Sequence, residues 1–519
     1  MNNDTPGGQE SRPSNPPAAP GADPISAPGA GAAPAQDEAA PAYPGADHDR
    51  RWRALVAPAD HRNPTPASRY DLLVIGAGPG GLVTAIAAAG LGARVALVER
   101  HAMGGDCLNV GCVPSKALLE ITARGERDFG RAFAWLREVR ADIAAHDSVE
   151  RYTAQGVDVF LGHARFIERD AVMVEDLTLR ARRIVIATGA RSALPPIPGL
   201  AECSPLTNES VFELVEQPRR LAVLGAGPIG CELAQVFARL GTEVHQFELA
   251  DHVLPRELPT AAACVDDALR AGGVHLHLGE AVSAIDEIDG SLVVSAGGVR
   301  TEVDRVLVAM GRRANVDDLN VEAAGVTLTE GGLIDVDAKL RTRNRAIYAI
   351  GDAASQAQFT HNADMQARAV VQNALIAPTK RIDQAVIPRC TYTAPEVAAV
   401  GRHAGELEHD GVPFDRYRVA FGELDRGRAE HDTVGFAEVY TERGRDRLYG
   451  ATLVGHDAGE QIAPLVLMMT RGLGLGAAAS LVLPYPTRSE YLKRLADAYN
   501  RTRLTPLVAR LIRWRVRRT

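Results

Sequence analysis

The chain has 519 residues, 46% of them hydrophobic, and a formal net charge of −8. That length and apolar content predict about three packed domains, and the acidic balance argues against a nucleic-acid partner. Six cysteines (107, 112, 203, 231, 264 and 390) are too few for a secreted disulfide framework. No apolar run reaches the ~18–20 residues that span a bilayer.

The first 50 residues are rich in Pro, Ala and Gly. Up to Gly45 the only large apolar residues are Met1, Ile25 and Tyr43. Such a segment cannot bury a core and is expected to be a disordered tail, so removing 45 residues should leave folding intact. It has no basic start followed by an apolar run, so it does not read as a secretory signal. With so few cysteines, a reducing, cytoplasmic setting is expected.

Tyr70-Asp71-Leu72-Leu73-Val74-Ile75 is a short apolar run, read as a buried strand. It leads into Gly76-Ala77-Gly78-Pro79-Gly80-Gly81 and an Ala-rich helix to about Gly90. A second strand, Arg94 to Val98, ends in Glu99. Strand, Gly-rich turn, helix, strand and acid form the dinucleotide-binding pattern. Gly76, Gly78 and Gly81 let the backbone approach a pyrophosphate, and Glu99 accepts from a ribose.

Cys107 and Cys112 follow at once, in Gly105-Asp106-Cys107-Leu108-Asn109-Val110-Gly111-Cys112-Val113-Pro114. Five residues apart on a regular helix, they would point roughly 140° from each other. Pairing needs an irregular turn, which Asn109 and Gly111 suit. Pro114 fits the first turn of a following helix. That leaves Cys112 near a helix N-terminus, where the dipole favours thiolate. Cysteines at this spacing are commonly inert or metal-binding. Directly behind a dinucleotide fold they read as a working disulfide.

The Gly-rich unit recurs. Arg220 to Leu224 leads into Gly225-Ala226-Gly227-Pro228-Ile229-Gly230, a helix, and a strand ending in Glu248. In both copies the first Gly precedes the acid by 23 residues (76 to 99, 225 to 248). Gly225, Gly227, Gly230 and Glu248 thus predict a second dinucleotide site. The thiol pair after the first copy points to FAD there and a nicotinamide in the second. A carboxylate at Glu248 favours NADH, with NADPH possible. Cys203, Cys231, Cys264 and Cys390 are scattered and read as small buried apolar residues. No resident metal site is expected. At the end, residues 504–519 mix five arginines with Leu507, Val508, Leu511, Ile512 and Trp514. This basic amphipathic tail suits either anionic lipid or packing on its own domain, and the second is favoured.

Four further segments agree with one family: Ile184 to Ala190, Val308 to Arg312, Tyr348 to Asp352, and Pro388 to Ala398. From about Arg51 to Tyr499 the chain resembles the pyridine nucleotide–disulfide oxidoreductases, the group of lipoamide dehydrogenase, glutathione reductase and mercuric reductase. Asn63-Pro64-Thr65-Pro66 and Phe359-Thr360-His361 are most similar to the mercuric reductase branch. The resemblance implies an α/β chain with two Rossmann-like domains and a C-terminal α+β dimerisation domain. Its expected limits are an FAD domain at 51–206 and 335–385, an NAD(P) domain at 207–334 and a dimerisation domain at 386–503.

The resemblance extends the dinucleotide contacts to Gly105, Asp106, Lys116, Ala164, Thr188, Gly189, Val282, Gly311, Asp352 and Thr360, and places His361 at the flavin site. It makes Cys112 the thiolate beside FAD and Cys107 the thiol that exchanges with substrate. Lys116 and Glu232 match an ion pair at the flavin. Tyr485 and Glu490 would come from the second subunit of a homodimer. Where lipoamide dehydrogenase and glutathione reductase have His-Pro-Thr-x-x-Glu, this chain reads Tyr485-Pro486-Thr487-Arg488-Ser489-Glu490. Mercuric reductase also has Tyr there. A phenol with a reference pKa of ~10 is a poor base at neutral pH. The chain departs from mercuric reductase in lacking a C-terminal Cys pair and an N-terminal Cys-x-x-Cys domain. The expected activity is therefore reduction of a disulfide, thiol or metal-ion acceptor by NAD(P)H. Dihydrolipoamide dehydrogenase is one alternative, and a non-enzymatic redox sensor or membrane-surface scaffold another.

Overall fold

The structure, a computed structural model, describes residues 43–518. The expected disordered tail lies outside the described residues at 1–42, but its last part does not behave as a tail. Ala46–Val56 is a helix. Its Asp49 is buried between Arg137 and Arg140, 3.2 and 2.7 Å away. Tyr43 donates to Asp49 (2.9 Å), and Arg137 donates to the Pro44 carbonyl (2.8 Å). The ordered fold thus begins before the predicted boundary, because buried Arg137 and Arg140 need Asp49 as a counter-charge, with Glu213 on Arg140 (2.7 Å) supplying the second. A 45-residue deletion would cut into these contacts.

The first sheet has seven strands. Five run parallel, in the order Val157–Leu161, Val95–Glu99, Tyr70–Ile75, Leu177–Ile186 and Ile347–Ala349, and Ala171–Val174 and Ala164–Glu168 extend it antiparallel from Leu177–Ile186. Tyr70–Ile75 is central and almost wholly buried, which explains its continuous apolar run. Ile347–Ala349 enters from far along the chain. Between its two halves lies a second parallel sheet, in the order His275–Leu278, Glu243–Glu248, Arg220–Leu224 and Arg305–Val308. An antiparallel meander, Val282–Ile288, Ser291–Ala296 and Val299–Val303, shares a core with it through Phe247, Ile285, Val294 and Val303.

The C-terminal part is a five-stranded antiparallel sheet, ordered Pro388–Thr391, Glu396–Gly401, Leu448–Gly455, Phe436–Glu442 and Phe414–Ala420. Helix Tyr491–Thr502 packs Tyr491, Leu492 and Leu495 into the sheet's core. The final helix, Pro506–Val516, forms as the pattern predicts but buries none of its residues. The expected packing of this tail on its own domain is therefore not found. Among the described residues, no helix is long and apolar enough to cross a membrane.

Candidate active site

Both Gly-rich turns have the same construction. Gly76 and Gly225 hold φ near +100°, where a Cβ would meet the carbonyl oxygens of Ala187 and Ala309 at 2.4 and 2.5 Å. A Cβ on Gly81 or Gly230 would strike the carbonyl oxygen of Gly76 or Gly225. Gly78 and Gly227 cap the helices Pro79–Gly90 and Pro228–Arg239 in extended backbone. Each strand-end carboxylate fixes its turn with one pair of bonds. Glu99 accepts from the amides of Ala77 (2.7 Å) and His101 (2.9 Å). Glu248 accepts from those of Ala226 (2.8 Å) and Ala250 (3.0 Å).

Gly76, Glu99, Ala164 and Thr188 line one cleft at the first turn. The Thr188 hydroxyl there is buried without a hydrogen-bond partner. An orphaned hydroxyl, a Gly cradle and a helix N-terminus suit a dinucleotide that brings its own acceptors. These residues fit FAD, and Gly225, Gly227, Gly230 and Glu248 repeat the Gly cradle, helix N-terminus and strand-end carboxylate, which fit a second dinucleotide. Gly189 and Gly311 follow the strands that close the two units, both at positive φ. Val282 opens the meander, partly buried. Gly105 lies so close to Gly78 that a Cβ would come within 2.5 Å of its Cα. The redox loop is thereby stacked on the first turn.

Cys107 sits in the short helix Gly105–Asn109, and Cys112 opens the helix Cys112–Ala123 after an irregular Val110-Gly111 link. Pro114 is in the first turn of that helix. Both cysteines are free thiols. A hydrogen bond from Cys107 holds Cys112 well below the ordinary thiol range, and Thr360 and the Lys116 charge assist. The same bond, followed by burial, pushes Cys107 up. Thr360 Oγ1 is 3.6 Å from Cys112 Sγ. Lys116 pairs with buried Glu232 at 2.7 Å and lies over the Tyr392 ring, 4.5 Å from its centroid. Glu232 also accepts from the Tyr392 amide at 2.9 Å.

Asp106 and Asp352 are joined through one residue that the sequence placed in a family segment but gave no role. Arg312 pairs with Asp106 and lies 3.7 Å from Asp352. Burial pushes Asp352 up to about 6, against the pull of Arg312. The signal for Arg312 was its place directly after Gly311. A second group escaped the sequence reading. Trp52 donates to Asn109 Oδ1 (2.8 Å), and Arg140 to the Asn109 carbonyl (3.1 Å). Asn109 in turn donates to the carbonyls of Gly105 and Met103 at 2.9 and 3.1 Å. The N-terminal helix therefore grips the loop between the cysteines.

Among the described residues, no hydrogen bond joins Tyr485 to either thiol of its own chain. The tyrosine is exposed, donates to Asp425 (2.8 Å), and is held above its ordinary value by that bond. Glu490 accepts from Arg494 (2.9 Å), and its second oxygen is buried without a partner. His361 bonds the Pro388 carbonyl (2.7 Å) and stacks on Phe359. Of the four scattered cysteines only Cys231 is fully buried; Cys203, Cys264 and Cys390 are half-buried.

Comparison with known proteins agrees with this geometry. The model of the pyridine nucleotide-disulphide oxidoreductases matches residues 70–367, and that of their dimerisation domain matches 387–496. The mercuric reductase of Staphylococcus aureus is 32% identical, covering 83% of each chain. The dihydrolipoyl dehydrogenase of Chlamydia muridarum is 33% identical, over 81% of this chain and 95% of that one. The Cu(II) complex of the HOCl-induced flavoprotein disulfide reductase RclA from Escherichia coli superposes with a TM-score of 0.78. Its identity is 29%, over 83% of this chain and 100% of that one. The dimerisation domain supports a homodimer. The chain belongs to the pyridine nucleotide-disulphide oxidoreductases, enzymes that use FAD and NAD(P)H.

Proposed function

We propose that this enzyme uses NAD(P)H to reduce a disulfide or a thiophilic metal ion at Cys107 and Cys112. The observation that carries the reading is the thiol pair itself. Cys112 is held toward thiolate at a helix N-terminus, within reach of Thr360 and next to the Lys116–Glu232 pair. FAD, when bound, supplies a two-electron relay between nicotinamide and disulfide. The second Gly-rich turn and Glu248 hold the nicotinamide dinucleotide. Lys116, with its charge balanced by Glu232, keeps a cation beside the cysteines and favours the anionic form of Cys112. Cys107, protonated and partly buried, is the group that meets the acceptor.

Tyr485 and Glu490 reach this site from the second subunit. There Tyr485 serves as a hydrogen-bond donor rather than as a base. Its phenol is about three units above neutrality even before Asp425 raises it further. The names of the relatives include both a mercuric and a dihydrolipoyl enzyme, and Tyr485 favours the first kind of chemistry. An acceptor screen separates them. Wild-type protein is expected to turn over lipoamide poorly, and NADH should give a higher kcat/KM than NADPH. Tyr485→His should raise lipoamide turnover by ~10²-fold, the low end of what general acid–base catalysis supplies. Efficient wild-type lipoamide turnover, or indifference to the substitution, would remove Tyr485 from the site.

The exposed Arg-rich helix at Pro506–Val516 is proposed to rest on anionic lipid. From Arg501 to Arg518 the chain has seven arginines and no acid, on a protein of net charge −8. Co-sedimentation with phosphatidylserine vesicles that survives removal of residues 504–519 would count against this contact.

A further inference from the structure

The second sheet carries a side-chain cluster that the redox chemistry does not use. His275–Leu278 is the edge strand and Glu243–Glu248 its neighbour. Their parallel register sets His275 beside His245 and His277 beside Phe247. Residues two apart on a strand share a face, so Glu243, His245, His275 and His277 rise together. Buried Val244 and Gln246 point the other way. The imidazoles of His245 and His275 stack with centroids 4.7 Å apart. His245 Nε2 is 3.0 Å from Glu243 Oε1, and its Nδ1 is 3.1 Å from His277 Nε2. One ligand atom from each of Glu243, His245 and His275 lies within 4.8 Å of the others.

We propose that Glu243, His245 and His275 bind a divalent first-row transition ion, with Zn(II) the best fit, and that His277 supports the site from outside. Two imidazoles and one carboxylate suit Zn(II), Ni(II) or Cu(II), whereas Ca(II) and Mg(II) take oxygen donors. A histidine that ligates through one nitrogen needs an acceptor for its other N–H. His277 Nε2 meets that need at His245 Nδ1, leaving the Nε2 lone pair of His245 toward Glu243. Ligand atoms around a tetrahedral ion with bonds of about 2.0–2.1 Å sit roughly 3.3 Å apart. Glu243, on the first residue of the inner strand, and His275, on the edge strand, are both exposed and free to draw in by the difference. An ion so held ties the edge strand to its neighbour across the ladder. It adds to the native state a ligand that the unfolded chain does not hold in this geometry, and so stabilises it.

The test uses the FAD-loaded full-length dimer carrying Cys107→Ser and Cys112→Ser, so that binding at the redox thiols is not counted. Zn(II) alone is titrated by calorimetry and equilibrium dialysis, and Co(II) by visible absorption. One Zn(II) per subunit is expected, with a rise in the thermal midpoint. His245→Ala and His275→Ala should each weaken binding by at least ~100-fold and remove the rise. His277→Ala should weaken it by ~10–100-fold, as loss of an outer partner does. No Zn(II) binding at all would reduce the cluster to a hydrogen-bonded surface patch. Full stoichiometry in the His245→Ala/His275→Ala double variant would place the ion elsewhere. Either result overturns the proposal and leaves the reductase reading untouched.

Discussion

Replacing Cys112 with serine is expected to abolish acceptor reduction, by roughly 10⁴-fold or more, the scale on which removing one member of a catalytic set that acts as a unit works. Serine keeps the size and the contact to Thr360 but has no thiolate at neutral pH. In the parent protein the hydrogen bond from Cys107 leaves Cys112 anionic well below the ordinary thiol range. A lowered value means that the charged form survives as pH falls, until the pH passes that lowered value. The long-wavelength absorption of a thiolate against bound FAD should therefore appear on two-electron reduction and persist at pH 7. It should fade only in more acidic solution. Cys112→Ser should remove it while NADH still bleaches the flavin. Cys107→Ser should keep the band and lose turnover with acceptor. A band that survives Cys112→Ser would reverse the assignment of the two thiols.

The second large effect is structural. Asp49→Ala leaves the side chains of Arg137 and Arg140, both essentially solvent-free, without the carboxylate between them. Breaking a buried ion cluster from one side costs about 3–5 kcal/mol. For a domain of some 200 residues this lowers the melting midpoint by roughly 6–20 °C. The loss should also reach the active site, because Arg140 and Trp52 hold Asn109, which closes the loop between the cysteines. Slower disulfide exchange at unchanged FAD content is the expected companion effect. A midpoint shift below about 2 °C would show that other charges compensate the two arginines.

The construction of the two Gly-rich turns was legible because it is local. Gly76 to Glu99 and Gly225 to Glu248 are each one supersecondary unit whose spacing encodes the turn, the helix and the carboxylate that locks them. The Lys116–Glu232 pair is not local, and only the resemblance to a family suggested it. What escaped was tertiary. Nothing in Ala46 to Val56 announces that Asp49 will meet two arginines about ninety residues on (137 − 49 and 140 − 49). Its neighbours 1–42 are low-complexity. The role of Arg312 was hidden for the same reason, since its partners Asp106 and Asp352 lie on two other segments. The His245–His275 contact depends on strand register, which a sequence pattern leaves open.

The late arrival of Ile347–Ala349 in the first sheet has a consequence for synthesis. Ile186 and Ile347 are 161 positions apart (347 − 186). As the chain leaves the ribosome, the flank of Leu177–Ile186 that will receive that strand stays unpaired, with Ile184, Val185 and Ile186 along it. The whole nicotinamide domain must be made before the missing strand appears. A bare, apolar edge is a template for pairing with other chains. The nascent chain is therefore expected to pass through an interval in which its second domain can fold while its first is still open at that flank.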